Sequence, residues 1–405
     1  MQPIIPAPAG SILDLVARAW VADQPASFAI RPTVRVGSAT LIPVAIDNGN
    51  DALKGATLRA EPAITEGATA RSLLTTIRVP TAFAVAQVIQ GRQEVTYTCD
   101  GVSFWVGETA LAHAGDALRV GPTIQRLSDE RQRWFIGTGI VELLRVAGYP
   151  PGEHAIALTL AVPNTEIVIE RDEKGAEQLT LDVRTREALT RHLKGKTWTI
   201  SRSDDVGQPE VWAITVATVL PQAQTTGTVV AITRAPNGKA VFDVAGMRVV
   251  DIGGGDLHVC EVAFSPAQMI NRRPGDGTIR IARALRSDRA FTGAIRNDVE
   301  AQQALVRQTI TRASRQVGIA AEVQQAVASK GNAIIADVLS ELRDSAQFVA
   351  ITGGGVLLLR DLLADVLAQE AKEPGRDYLL VDGPLASQLN AIGVLFGLIF
   401  RAAGK

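Results

Sequence analysis

Two patterns of apolar and polar positions alternate along the 405 residues. One is the period of two that lines a single face of a strand. The other is apolar residues three and four apart, the mark of a half-buried helix. Residues 1 to 40 form a proline-bearing leader in which Ile12, Leu13, Val16 and Trp20 of SILDLVARAW recur at helical spacing. From residue 41 the pattern turns strand-rich. LIPVAIDNGNDALKGATLRA reads as strand, polar turn and strand, with the turn from Asp47 to Asp51. VTYTCDGVSFWVGETAL reads as a second hairpin around Asp100 and Gly101. Residues 129 to 148 predict a helix, HAIALTLAVP a buried strand closed by Pro163, and residues 184 to 193 another helix. Strands near 197 to 202 and 210 to 220 follow, then a short linking helix and a hairpin over 249 to 263. A long helix from about 296 to 316, a further helix over 331 to 343 and the strand FVAITGGG complete the series. Strands alternating with helices predict an α/β protein whose sheets are covered by helices. A weak two-fold echo runs through it, because strand, acid, glycine turn and strand occur at 44 to 58 and again at 249 to 263.

Composition narrows the choice. The length predicts two domains or one large bilobed one. With 46% hydrophobic and 20% charged residues and a net charge of -1, the chain reads as a soluble globular protein. It has no basic excess to point to nucleic acid as a direct ligand. Its two cysteines, Cys99 and Cys260, are far apart, and its four histidines are scattered. That fits a reducing cytoplasm and excludes a cysteine-rich zinc site. The longest apolar run, AIGVLFGLIF over 391 to 400, is too short to span a bilayer and predicts a buried helix, so no membrane contact is expected.

Three glycine-bearing turns carry the candidate chemistry. In IDNGNDALK, Gly49 permits a sharp hairpin whose amides can converge on an anion, Lys54 can reach a phosphate, and Asp47 can hold Mg²⁺ through water. In VVDIGGGDLHV, Asp251 and Gly253, Gly254 and Gly255 repeat that design. In AITGGGVLL, Thr352 precedes Gly353, Gly354 and Gly355, which leave room for a flat ring against the backbone. Each turn alone reads equally well as an ordinary hairpin or a helix cap. Neither a P-loop nor a dinucleotide fingerprint is present.

Together, in this order, the three turns resemble the actin-like ATPase superfamily, in particular the bacterial plasmid-segregation actins of the ParM type and their archaeal-actin-like relatives. The resemblance runs from about residue 41 to the C-terminus. It includes the insertion hairpin YTCDGVSFWVGETAL, the strand–helix–strand marked by LAVP and LKGKTWTI, the connector VATVLPQAQTTG and the closing element LNAIG. It implies an actin-like ATPase (ribonuclease H-like) fold of two lobes, each a mixed sheet flanked by helices, with nucleotide in the cleft between them. Residues 41–235 with 384–405 would form lobe I, with an insertion subdomain at about 81–130, and residues 236–383 lobe II.

By position, the resemblance makes Asp47 and Asp251 the acids that orient water and Mg²⁺. Gln222 becomes the residue that positions the attacking water. Asn48, Gly49, Asn50, Lys54, Gly253, Gly254, Gly255 and Asp256 would hold the phosphates of ATP or GTP, and Thr352, Gly353, Gly354 and Gly355 the nucleoside. The chain departs from the pattern where family members carry hydroxyls in the phosphate turns: Asn50 with Asp51, and Gly255 with Asp256, stand there instead. His258 replaces a frequent late acid. Two added carboxylates beside a triphosphate repel it unless metal or lysine compensates, or unless they point away.

The function implied is a nucleotide-hydrolysing protein that assembles with itself head to tail into filaments and moves or positions plasmid DNA through a DNA-binding adaptor. Loss of the γ-phosphate would let the lobes rotate. Filament contacts are expected on the leader and on the 81–130 insertion, although Phe104 and Trp105 there are equally good core residues. The rival readings are a small-molecule kinase of the same fold, for which no acid-bearing motif stands out, and a nucleotide-binding scaffold that does not polymerise. A chaperone-type ATPase would need more length than remains.

Overall fold

The computed structural model describes residues 6–404 except 62–70, 88–93, 114–115, 119–120, 172–176, 205–207, 243, 265–266, 313–314, 344–347, 371–377 and 382. The chain forms two compact units, Pro8–Phe242 with Asn390–Lys405, and Asp243–Leu389 with Met1–Ala7.

The sheet of the first unit is built on β1 (Ala39–Asn48), β2 (Ala52–Ala60) and β3 (Ser72–Pro80), an antiparallel meander. Strand β4 (Gly152–Val162) runs parallel to β1, and β5 (Glu210–Val219) runs parallel to β4. Val44, Ala45 and Ile46 in β1 are all fully buried. A strand covered on both faces is expected to read as a continuous apolar run rather than an alternation. Helix α1 (Ile12–Val21) buries Ile12, Leu13 and Val16 and leaves Trp20 half exposed, so the apolar stripe is one residue shorter than its spacing predicts.

Helix α2 (Glu130–Val146) starts at Asp129, whose carboxylate accepts from the Arg131 N–H at 3.0 Å. It buries Phe135, Ile140, Leu143 and Leu144 in a core shared with Val44, Leu53 and Leu158. Phe83, Tyr97, Phe104, Val106 and Leu127 supply part of this core. Phe104 stacks between Phe83 and Trp134, with ring centroids 4.9 and 5.7 Å away, and Trp105 is buried as well. These aromatics are therefore core rather than contact surface.

In the second unit, β6 (Gly246–Ile252), β7 (Asp256–Phe264) and β8 (Ala267–Asp276) form another antiparallel meander. Strand β9 (Phe348–Thr352) runs parallel to β6, and β10 (Tyr378–Leu380) parallel to β9. The spatial order is β8-β7-β6-β9-β10, and the first unit has β3-β2-β1-β4-β5. The echo in the sequence is thus a repeated five-strand topology.

Two predicted helices differ from the structure. The helix expected over 296 to 316 is Asp298–Arg307, ended by Gln308 in the left-handed region at φ 54°. Thr309–Arg312 then pairs with Arg315–Gly318 as a hairpin. The β-branched Thr309, Ile310 and Thr311 suit a strand, and the apolar spacing had masked that preference. The helix expected at 331 begins eleven residues earlier, as α4 (Ala320–Arg343), where alanines and glutamines make a weak stripe. Helix α5 (Val356–Glu370) follows β9.

Helix α6 (Gly383–Ala402) belongs to the second unit up to Leu389 and to the first from Asn390. Over Pro384–Ala402 it is long and apolar enough to cross a membrane by length and composition, beyond the ten residues of its apolar run, and 67% of that window is buried inside the protein. Within the first unit it crosses α3 (Gln224–Thr233) backbone to backbone. A Cβ on Gly393 would lie 1.7 Å from the Gly227 carbonyl oxygen. Thr228 donates to Asn390 Oδ1 at 2.8 Å beside this crossing.

Candidate functional site

The turn between β1 and β2 is held from three sides. Thr81 donates its hydroxyl to the Gly49 carbonyl at 2.9 Å and its N–H to the Asp51 carbonyl at 3.1 Å. Arg126, from helix Thr123–Ser128, donates to the Asn48 carbonyl and, at 2.8 Å, to Asn50 Oδ1. The Gly49 N–H closes the turn on the Ala52 carbonyl at 3.1 Å. Its backbone is therefore set before any ligand arrives.

Asp47 and Lys54 are direct cross-strand partners. Both are at least nine-tenths buried. Lys54 Nζ donates to Asp51 Oδ1 at 2.9 Å, and Arg78 of β3 donates to Asp51 Oδ2 at 3.1 Å. Burial by itself raises the Asp51 carboxyl, but the Lys54 and Arg78 charges outweigh it and hold Asp51 well below the usual carboxylate range. Burial pulls Lys54 down, and Asp51 and Asp47 more than restore it, so its ammonium is firmly charged.

The connector differs from expectation. Gln222 is buried, and its amide donates to Thr159 Oγ1 at 2.9 Å and to the Val394 carbonyl at 2.8 Å. A Cβ on Gly397 would lie 2.2 Å from Gln222 Oε1, so the side chain is packed against α6. Gln224 instead reaches the site and donates to Asp47 Oδ1 at 2.8 Å from the first position of α3. The N-cap Ala223 offers that helix no side-chain oxygen, and Asn164 Oδ1 accepts from the Thr225 N–H at 3.3 Å in its place. Gln224 stands in the same LPQAQTTG that drew attention to Gln222. Which of two glutamines faces the acid depends on how the strand end meets the helix, and spacing alone does not encode that.

In the second unit the turn between β6 and β7 is closed by Gly253 N–H on the Asp256 carbonyl at 2.9 Å. It is braced from behind by Thr278 N–H on the Gly253 carbonyl at 3.0 Å and Ile279 N–H on the Gly254 carbonyl at 2.7 Å. Asp256 pairs with Arg273 of β8, and His258 Nε2 lies 3.6 Å from Asp256 Oδ2. Burial lowers the His258 pKa, but the bond to Asp256 and the charges of Asp251 and Asp256 raise it on balance.

Asp251 and Thr352 are side by side on the parallel strands β6 and β9, so the third glycine turn starts beside the second. Gly353 has φ +98°, and a Cβ there would lie 2.3 Å from Asp251 Oδ1. Gly355 packs as tightly against Ile252, whereas a Cβ on Gly354 would meet only Ser387 Cβ, at an ordinary 3.7 Å. Two of the three glycines thus serve contact with strand β6, and only Gly354 would take a Cβ without a clash.

Besides Asp47, Asn50, Lys54 and Asp256, three more of the expected site residues have side chains engaged inside the protein. Gln222 is one. Asn48 donates to Gln132 Oε1 of α2 at 3.2 Å, and Thr352 donates to the Ala386 carbonyl at 3.1 Å. The residues the sequence reading missed are Gln224, Arg78, Arg126 and Arg273. Among the described residues no group of three or more His, Cys, Asp or Glu could hold a metal by itself. Asp47 and Asp251 offer only hard carboxylate oxygens, the donor type that suits Mg²⁺ bound largely through water and phosphate.

No protein-family model and no curated protein matches the sequence. Solved structures do match. An archaeal actin homologue in complex with ADP superposes with a TM-score of 0.58 at 17% identity, over 88% of this chain and 99% of that one. ParM of Bacillus thuringiensis with AMPPNP gives 0.58 at 12% identity, over 89% and 99%. The actin-like protein Alp7A gives 0.57 at 11%, over 89% and 96%. The chain has the actin-like fold.

Proposed function

We propose that this actin-like chain binds a nucleoside triphosphate with Mg²⁺, hydrolyses it, and assembles with itself head to tail into filaments in the cytoplasm, where a DNA-binding adaptor would link them to plasmid DNA. The observation that carries the reading is the repeated meander whose first turn presents an acid at its strand end, Asp47 or Asp251, beside a braced glycine turn. It is supported by solved structures of the same fold with ADP, AMPPNP and ATP.

In this reading Lys54 and the amides of the turns about Gly49 and Gly253–Gly255 hold the phosphates of ATP or GTP. Gly354 gives the nucleoside its place. Asp47 and Asp251 would hold a Mg²⁺ through its water, and the ion would supply charge to offset the phosphates. Gln224 fixes the Asp47 carboxylate, so that acid and attacking water keep one orientation. Phosphoryl transfer needs mainly such positioning and charge stabilisation. Gln222 acts at one remove, by tying the connector to α6.

The test is right-angle light scattering after addition of Mg-ATP, Mg-GTP or Mg-ADP, with phosphate release followed in parallel. A rise specific to the triphosphate, decaying as phosphate appears, is the expected result. Turnover with flat scattering at every protein concentration removes the filament. A second reading, a nucleotide-binding scaffold that barely hydrolyses, draws on the burial of Gln222. Binding with neither turnover nor scattering selects it.

A further inference from the structure

Both glycine turns carry an acid that the resemblance did not lead us to expect, and both acids are handled alike. Asp51 is gripped by Lys54, three residues on in β2, and by Arg78 of β3. Asp256 is met by His258, two residues on in β7, and by Arg273 of β8. In each unit the turn acid thus meets one basic side chain from the second strand of the meander and one arginine from the third. Arg78 and Arg273 are far from the turns in sequence, and only strand register brings them there.

We infer that Asp51 and Asp256 are internal stand-ins for phosphate, and that Arg78 and Arg273 are phosphate-binding residues which a nucleotide takes over from them. The inference rests on the nucleotide-binding reading above and extends it to residues outside the glycine turns. Lys54 and Arg78 each hold a different oxygen of the Asp51 carboxylate, as two cations would clamp a phosphate through two of its oxygens. A Cβ on Gly49 would lie 2.6 Å from Lys54 Nζ, so the ammonium already lies against the turn where the ligand would sit. The turn backbone is fixed by Thr81, Arg126 and its own closing bond. Exchange therefore requires only the Asp51 side chain to turn away from Lys54 and Arg78.

The charges favour exchange. Lys54, Arg78 and Arg126 face Asp47 and Asp51 at the first turn, an excess of one positive charge with Asp51 in place and of two once its carboxylate has swung out to water. A polyphosphate offers more charge and more acceptor oxygens than a carboxylate does, but it must displace that carboxylate before it can bind. Asp51 consequently weakens nucleotide binding, and it keeps a buried lysine paired while the site is empty.

The test is calorimetric titration of wild type, Asp51→Asn and the double variant Asp51→Asn/Arg78→Ala with ATP and ADP, with and without Mg²⁺. Release of one charge-assisted bond corresponds to about tenfold in affinity. Asp51→Asn is expected to bind nucleotide about tenfold more tightly, with the gain kept in EDTA, and the double variant to return to wild-type affinity or below. Unchanged or weaker binding by a folded Asp51→Asn overturns the inference. So does a gain that Arg78→Ala leaves intact, and so does weakening confined to Mg²⁺, which would make Asp51 a metal ligand. Asp256→Asn, with and without Arg273→Ala, applies the same criteria to the second turn, so a first variant that fails to fold does not decide the matter. A wild type that binds nucleotide while Asp51→Asn binds no better removes only this inference. A wild type that binds no nucleotide at all removes the proposed function with it.

Discussion

Gln222 and Gln224 lie two residues apart, and the structure gives them opposite surroundings. Gln222→Ala removes two hydrogen bonds from a buried amide and leaves Thr159 and the Val394 carbonyl short of a partner. The expected cost is about 2–3 kcal/mol, read as a lower midpoint in urea unfolding. Gln224→Ala is expected to keep the midpoint and to slow phosphate release at least about tenfold through loss of positioning of Asp47, with a smaller change in KM. If the two phenotypes exchange, Gln222 is the site residue. Glu142 offers a second residue-scale case, away from the glycine turns. Its carboxylate accepts from Tyr97 at 2.8 Å, Arg202 at 2.9 Å and Arg145 at 2.8 Å. Burial raises its pKa, and these bonds and charges lower it on balance. A depressed folded-state pKa means stability that is present above the unfolded value, near 4.5, and lost as pH falls through the folded one. Glu142→Gln should therefore melt at a lower temperature than wild type at neutral pH, and the gap should narrow steadily below about pH 4.5.

Among the elements, the crossing of α3 and α6 tolerates least. No side chain fits between Gly227 and Gly393, because a Cβ on either would fall within 2.3 Å of the other helix's backbone. Gly393→Ala should push the helices apart and cost about 3 kcal/mol or more, seen as a lower urea midpoint or as insoluble protein. A variant as stable as wild type would mean that the helices can separate freely. The hairpins, by contrast, were legible from sequence. At Asp100 and Gly101 both residues adopt positive φ, 51° and 78°, which is what an Asp-Gly pair between two strands predicts. The run over 296 to 316 was misread because helical spacing and β-branched residues compete there. The left-handed Gln308 that ends the helix carries no glycine to announce it.

For the whole molecule, each unit has its own sheet and its own buried residues. Calorimetry should accordingly resolve two unfolding transitions, and nucleotide at one hundred times its Kd should stabilise the folded protein by about 2.7 kcal/mol. A single transition insensitive to nucleotide would contradict both expectations. The repeated order of five strands could be sensed in the sequence as two acid–glycine turns, because a hairpin is local and its turn residues announce it. Asp47, Gly49, Lys54, Asp251 and the three glycines from 353 could be placed at turns in the same way, each beside a strand end that its own neighbours specify. What the sequence could not disclose is whatever depends on residues far apart in the chain. The pairing of Asp51 with Arg78, the contact of Gln224 rather than Gln222 with Asp47, and the reason Gly353 must be glycine all follow from strand register and from helices packed at backbone distance. Composition and turn chemistry determined that this chain folds as a repeated α/β unit with an acid at each turn. Tertiary packing decided which charges meet those acids, because a side chain 27 residues away becomes a neighbour only once the sheet has formed.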